Sequence, residues 1–220
     1  RPKLIEFLPG RVKHEEIYFY SWAWYTEKKI KVEFGKKVVK INEKLKNIEL
    51  ANGEQHSYDC LVLANGARSN IPTLKGFPKK GSFSLRTIDD AQRILEYLSV
   101  LGPAHNPDKR KAIIIGGGFL GLEIAYAMLG AGLEPLVLEH NKSLLSRQID
   151  EPGSDILKVK LESLGIKFKF EAECESINGN NHVESVTLKG GEVIPADIVI
   201  MAAGICPNVE LAKTAGLKVN

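Results

Sequence analysis

The segment Lys111 to Ala125, KAIIIGGGFLGLEIA, constrains this chain more than any other stretch. An apolar run enters a glycine-rich turn and a second apolar run leaves it, the pattern of a buried strand feeding a helix. Gly116, Gly118 and Gly121 fill a GxGxxG spacing. The first glycine permits a tight turn, the second lets backbone approach a pyrophosphate, and the third packs helix against strand. Gly117, Phe119 and Leu120 complete the turn and open the helix, whose unpaired N–H groups and positive dipole end favour an anion. Taken alone, the same glycines also fit an ordinary turn in an αβ unit.

The next strand-like run, LEPLVLE, ends in Glu139. An acid about twenty residues beyond such glycines accepts hydrogen bonds from the adenosine ribose, and its charge repels a 2′-phosphate. The sequence therefore favours NAD(H) over NADP(H). His140 beside it softens that preference when protonated, if it contacts the ligand rather than solvent. His14, His56, His105 and His182 have no ligand spacing, and no metal site is expected.

With 220 residues and 44% hydrophobic content, the chain can bury a sizeable core in one large domain or two modest ones. No apolar run approaches the roughly 20 residues that span a bilayer, and the opening RPKLIEFLPG lacks a secretory-signal pattern, so no membrane association is expected. Cys60, Cys174 and Cys206 are odd in number and far apart. That excludes a disulfide framework or a CxxC pair and points to a reducing, cytoplasmic setting. Net charge is only +3, but Lys and Arg outnumber Asp and Glu by 20 to 13 in residues 1–110 and are outnumbered 10 to 14 thereafter. The basic first half suits an acidic partner, and solvated lysines account for it equally well. No basic stripe interleaved with aromatics is present, so nucleic acid is not an expected partner.

Patterning predicts a helix over residues 11–27, strands at 29–34, 37–41 and 47–50, and a hairpin turn at Asn52-Gly53. YDCLVLANGA reads as a buried strand entering a turn at Asn65-Gly66, and Thr87 to Leu98 reads as a helix, with Ile88, Ala91, Ile94, Leu95 and Leu98 on one face. LGPAHNPDKR reads as a linker. Beyond it the pattern is strand, helix, strand, a helix near 150–164, a strand at 166–170, hairpin strands near 183–188 and 192–194, and the apolar run DIVIMAAG. A parallel sheet with an antiparallel excursion before its last strand fits this order.

Six stretches in order, RPKL, YDCLVLANGA, SLRTIDDA, IIIGGGFLGLE, VLEHNKSLLSRQID and IVIMAAGICPN, resemble the FAD-dependent pyridine nucleotide-disulfide oxidoreductases. The resemblance is to the branch of NADH:rubredoxin oxidoreductases, NADH oxidases and nitrite reductase flavoproteins. It implies an α/β, three-layer Rossmann-like FAD/NAD(P)-binding fold, with a complete NAD domain (102–205) inserted in an incomplete FAD domain (1–101) and a return segment beginning at 206–220. No GxGxxG precedes Gly116 to hold the FAD diphosphate, and the family's closing Gly-Asp segment would follow Asn220, so the chain is expected to be a fragment or a truncated relative. Asn65 stands where the family has threonine.

The resemblance places Arg1, Val38, Ala64, Asn65 and Gly66 near FAD, and Gly204 near the nicotinamide half of NAD. It gives Glu123 the position where nicotinamide meets flavin, a catalytic role. Glu123 also lies in the apolar run FLGLEIAYAML, where a buried carboxylate demands a partner. The implied activity is hydride transfer from NADH to FAD, followed by electron transfer to a protein or small acceptor such as rubredoxin, a nitrite reductase centre or oxygen, with homo-oligomerisation possible. The alternative is a non-enzymatic NAD(H)-binding module without a working flavin site. A third option, a short-chain dehydrogenase using Tyr25 and Lys29 as a YxxxK pair, places that pair before rather than after the nucleotide turn.

Overall fold

Residues 3–8, 12–101 and 110–219 are described by the computed structural model. Their contacts divide into two compact units, Arg1–Ile17 with Ser69–Gly204, and Tyr18–Arg68 with Ile205–Asn220. The chain begins with α1 (Lys3–Phe7) and α2 (Trp22–Glu27), then β1 (Val38–Asn42), β2 (Asn47–Leu50), β3 (Gln55–Ser57), β4 (Ala67–Ser69), β5 (Ser82–Ser84) and α3 (Ile88–Leu101). It continues through β6 (Lys111–Ile115), α4 (Phe119–Gly130), β7 (Glu134–Leu138), α5 (Glu151–Ser163) and β8 (Lys167–Lys169). The remaining elements are β9 (Cys174–Asn178), β10 (Ser185–Leu188), β11 (Val193–Pro195), β12 (Ile198–Met201), β13 (Ile205–Pro207) and α6 (Glu210–Thr214).

In the larger unit five parallel strands lie in the order β5-β12-β6-β7-β8. Its central strands are apolar at successive positions, Ala112 to Ile114 and Ile198 to Ile200, and all six residues are fully buried. A strand covered on both faces needs this continuous pattern rather than an alternating one. Ile94, Ile124 and Met128 pack with Ile114 and Ile200 on one side, while Ile177, Val186 and Leu188 pack with Ile113 and Val199 on the other. The second group comes from the antiparallel sheet β9-β10-β11. Each fully buried isoleucine contributes about 1.5–3 kcal/mol.

The starts of α3 and α5 in this unit are fixed by side chains. At α3, Thr87 Oγ1 accepts from Asp90 N (3.2 Å), and Asp90 Oδ2 accepts from Thr87 N (2.8 Å) and Arg86 N (2.9 Å). Arg93 pairs with the other Asp90 oxygen, so both oxygens of this buried carboxylate are partnered. At α5, Asp150 caps Gly153 N at 3.0 Å, which contributes about 1 kcal/mol.

In the smaller unit β1-β2-β3 form an antiparallel meander, with Gly53 at φ +86° in the β2–β3 turn. There β13 pairs with β4, and α6 packs on β1.

Several expectations change. The helix over 11–27 is broken: His14–Ile17 is a single 3-10 turn, and Ser21, extended at ψ 162°, starts α2 afresh as its N-cap. Residues 29–34 form no strand. Tyr58 to Gly66 is neither strand nor buried: Leu61, Val62 and Leu63 are exposed, Val62 at 84%. A parallel strand exists only through its neighbours, and none among the described residues pairs with this run. The boundary expected at residue 102 also differs from the division in the contacts, because β5 joins the sheet of β12 and α3 packs in the same core. Arg1 and residues 102–109 of the linker lie outside the described residues. Among those described, no helix is long and apolar enough to cross a membrane.

Candidate functional site

The glycine turn sits at the C-terminal end of β6, flanked by the ends of β7 and β12. Gly116 has φ +111°, donates to Leu138 O at 2.8 Å, and a Cβ there would lie 2.6 Å from Ala202 O. At Gly121 a Cβ would be driven into the Gly116 carbonyl oxygen, so this glycine serves helix–strand packing, as its spacing predicts. Gly118 differs. It is the N-cap of α4, has no side-chain cap, and has nothing within 4 Å of a Cβ position. The open space before uncapped N–H groups fits a diphosphate.

Gly116, Gly117, Gly118, Phe119, Leu120, Glu139, His140 and Gly204 line one cleft of about 590 Å³. Its size suits part of a dinucleotide. Glu139 is only 7% exposed and carries three hydrogen bonds. Gly117 N donates to Oε2 at 2.6 Å; Asn141 N and Asn141 Nδ2 donate to Oε1 at 2.8 and 2.7 Å. The acid at the strand end is thus tied directly to the second residue of the turn, and a Cβ on Gly117 would meet its Oε2 at 2.9 Å. Cys174 also lines this cleft; burial pushes its thiol up to about 11, which keeps it protonated at neutral pH.

Glu123 is not part of that lining, and it is exposed rather than buried. Along α4, Phe119, Glu123 and Tyr126 fall on one outward stripe while Leu122, Ile124, Ala125 and Met128 face the core. The carboxylate therefore carries no burial cost demanding a partner, which corrects the expectation drawn from its apolar neighbours.

Of the residues expected near FAD, Val38, Ala64, Asn65 and Gly66 lie in the smaller unit. Val38, Ala64 and Asn65 line a hollow of about 790 Å³, within the range of ligand pockets, about 300–1,000 Å³. Gly66, at φ +69°, accepts from Asn208 N at 3.0 Å. Asn65 Nδ2 donates to Asn208 O at 2.7 Å, and Asn208 Nδ2 donates to Asn65 O at 2.9 Å. Asn141 and Asn208 escaped sequence reasoning. The only signal for Asn141 was a short amide two residues after the acid, a position suited to bonding back to its own chain.

A parallel sheet, a glycine turn opening a helix, and a buried acid at the neighbouring strand end define a dinucleotide-binding α/β protein. Residues 5–220 match the family model described as pyridine nucleotide-disulphide oxidoreductase, and the chain belongs to that family. Its members are FAD-containing, NAD(P)H-using oxidoreductases. The chain is 32% identical over 217 residues to the assimilatory nitrate reductase electron transfer subunit of Bacillus subtilis, covering 99% of itself and 27% of that protein. It is 31% identical over 222 residues to rubredoxin-NAD(+) reductase of Pseudomonas putida, covering 100% of itself and 56% of that protein. The crystal structure of a ferredoxin reductase from Rhodopseudomonas palustris superposes with a TM-score of 0.90 at 27% identity, covering all of this chain and 53% of the other. The chain thus spans from 27% to 56% of the length of these proteins.

Proposed function

We propose that this chain forms the nucleotide-handling part of a flavoprotein oxidoreductase that takes hydride from NADH and passes electrons to a protein or small acceptor. The observation that carries this is the tie between Glu139 and Gly117, which sets a ribose-reading acid and an open, uncapped helix start in one cleft. Gly116, Gly117, Gly118, Phe119 and Leu120 would cradle the diphosphate, and Gly204 would border the nicotinamide half. Flavin, when bound, supplies the chemistry that accepts a hydride and releases electrons singly or in pairs. Val38, Ala64, Asn65 and Gly66, with Arg1, would hold part of it. Glu123, exposed two residues beyond Gly121, would orient the reacting end of the nicotinamide. Three free cysteines fit a reducing, cytoplasmic setting.

A second assignment, an NAD(H)-binding module without flavin chemistry, is supported by the exposed run Leu61 to Leu63 in the smaller unit, which pairs with no strand among the described residues. The visible spectrum of the purified chain, with FAD and then with NADH added anaerobically, separates the two. Bound flavin bands that bleach with NADH are the expected result. NADH binding without bound flavin would overturn the flavoenzyme assignment for this polypeptide and leave the module.

A further inference from the structure

A carboxylate offers about four acceptor positions on two oxygens. In Glu139, both positions of Oε1 are taken by Asn141, through its backbone N–H and its side-chain amide, and one position of Oε2 is taken by Gly117 N. One position on Oε2 is left, and Glu139 lines the cleft. A ribose presents two neighbouring hydroxyls, and an unencumbered carboxylate can take both, one on each oxygen. We infer that Asn141 is a positioning residue which commits Oε1 of Glu139 to the protein, so that the acid reads one adenosine ribose hydroxyl rather than two. The inference rests on the assignment of this cleft to NADH.

The chemistry follows from burial. Glu139 is 7% exposed, so its oxygens exchange few partners with solvent, and Asn141 Nδ2, at 2.7 Å, occupies an acceptor position that a ligand hydroxyl would otherwise take. Asn141 itself is exposed and makes no core contact, which lets it be truncated without opening a cavity. Its backbone N–H stays on Oε1 in any variant, so Asn141→Ala frees a single acceptor position.

The test measures binding, by NADH fluorescence, of NADH and of its analogues lacking either the 2′- or the 3′-hydroxyl of the adenosine ribose. For the unaltered chain one analogue is expected to bind about tenfold more weakly than NADH, the effect of losing a hydrogen bond to a charged group, and the other within twofold. In Asn141→Ala both analogues should weaken relative to NADH, because Oε1 then takes the second hydroxyl. Asn141→Ser, which restores a short donor, should return the one-sided pattern. Any pattern in the unaltered chain other than one weakened analogue, or an Asn141→Ala chain that keeps the one-sided pattern, overturns the inference. Glu139→Ala tells the two levels apart. If it leaves NADH affinity unchanged, the cleft assignment itself fails; if it abolishes binding while both analogues are equally weak in the unaltered chain, only the role of Asn141 fails.

Discussion

Asn65 and Asn208, 143 residues apart in sequence, each donate a side-chain N–H to the other's backbone carbonyl, at 2.7 and 2.9 Å. The pair clasps the turn after the Leu61 to Leu63 run to the segment that follows β13. Arg68 reinforces it, donating to Asn208 Oδ1 at 3.3 Å and to Glu210 Oε1 at 2.9 Å.

Truncating either partner is expected to destabilise the smaller unit by about 1 kcal/mol, the net contribution of an ordinary hydrogen bond. In a double-mutant cycle of Asn65→Ala and Asn208→Ala, thermal denaturation should give a combined loss different from the sum, because the two bonds share one geometry. Simple additivity would show that the clasp does not act as a unit.

Glu139→Ala should weaken NADH binding about tenfold or more and reduce discrimination against NADPH, since the acceptor for the ribose and the charge that repels a 2′-phosphate go together. Fluorescence titration with both nucleotides checks this. Equal, unchanged affinities for both would remove Glu139 from the site.

Gly121→Ala and Gly118→Ala should separate folding from binding. The first forces a methyl into the Gly116 carbonyl and is expected to cost about 1–3 kcal/mol of stability, as overpacking does. The second meets open space at φ −75° and should fold normally while weakening NADH binding, because its methyl occupies the approach to the helix start. Melting temperature and nucleotide affinity, measured on both variants, provide the comparison.

Cys174 should make stability fall at alkaline pH. Burial raises its thiol from 9.0 to about 11 in the folded chain, so between these values the unfolded chain has lost the proton while the folded chain keeps it. The unfolded state binds fewer protons there, and stability declines as pH rises through that window. Cys174→Ala should flatten the decline in denaturation midpoints between pH 9 and 11. At neutral pH, iodoacetamide should label exposed Cys60 well before Cys174.

Where each element drew its order from local pattern, the sequence was readable. The unbroken apolar stretches of β6 and β12, the glycine spacing, and the one-sided face of α3 each carry their geometry in neighbouring residues. The run Leu61 to Ala64 had the same apolar signature and forms no strand, because pairing depends on partners far away in the chain. Ser21 looked like one more polar residue inside a helix, yet its hydroxyl accepts from Trp24 N at 3.4 Å and restarts the helix there. Within the site, the glycines and Glu139 were legible from spacing. Glu123 was not: its apolar neighbours belong to the faces beside it, and only the 3.6-residue turn puts it outward with Phe119 and Tyr126. Asn141 was hidden because its contribution is a contact with another side chain.

The place of β12 in the sheet also sets a timetable. This strand lies between β5 and β6, yet it is the last strand of its unit to be synthesised. A nascent chain that ends before Ile198 already has β6, α4 and β7, but β5 has no neighbour and the cleft lacks the wall formed by Ala202 to Gly204. The glycine turn must therefore wait on the ribosome, half-built, until some eighty residues after Gly121 have emerged, and only then can the unit close around its sheet.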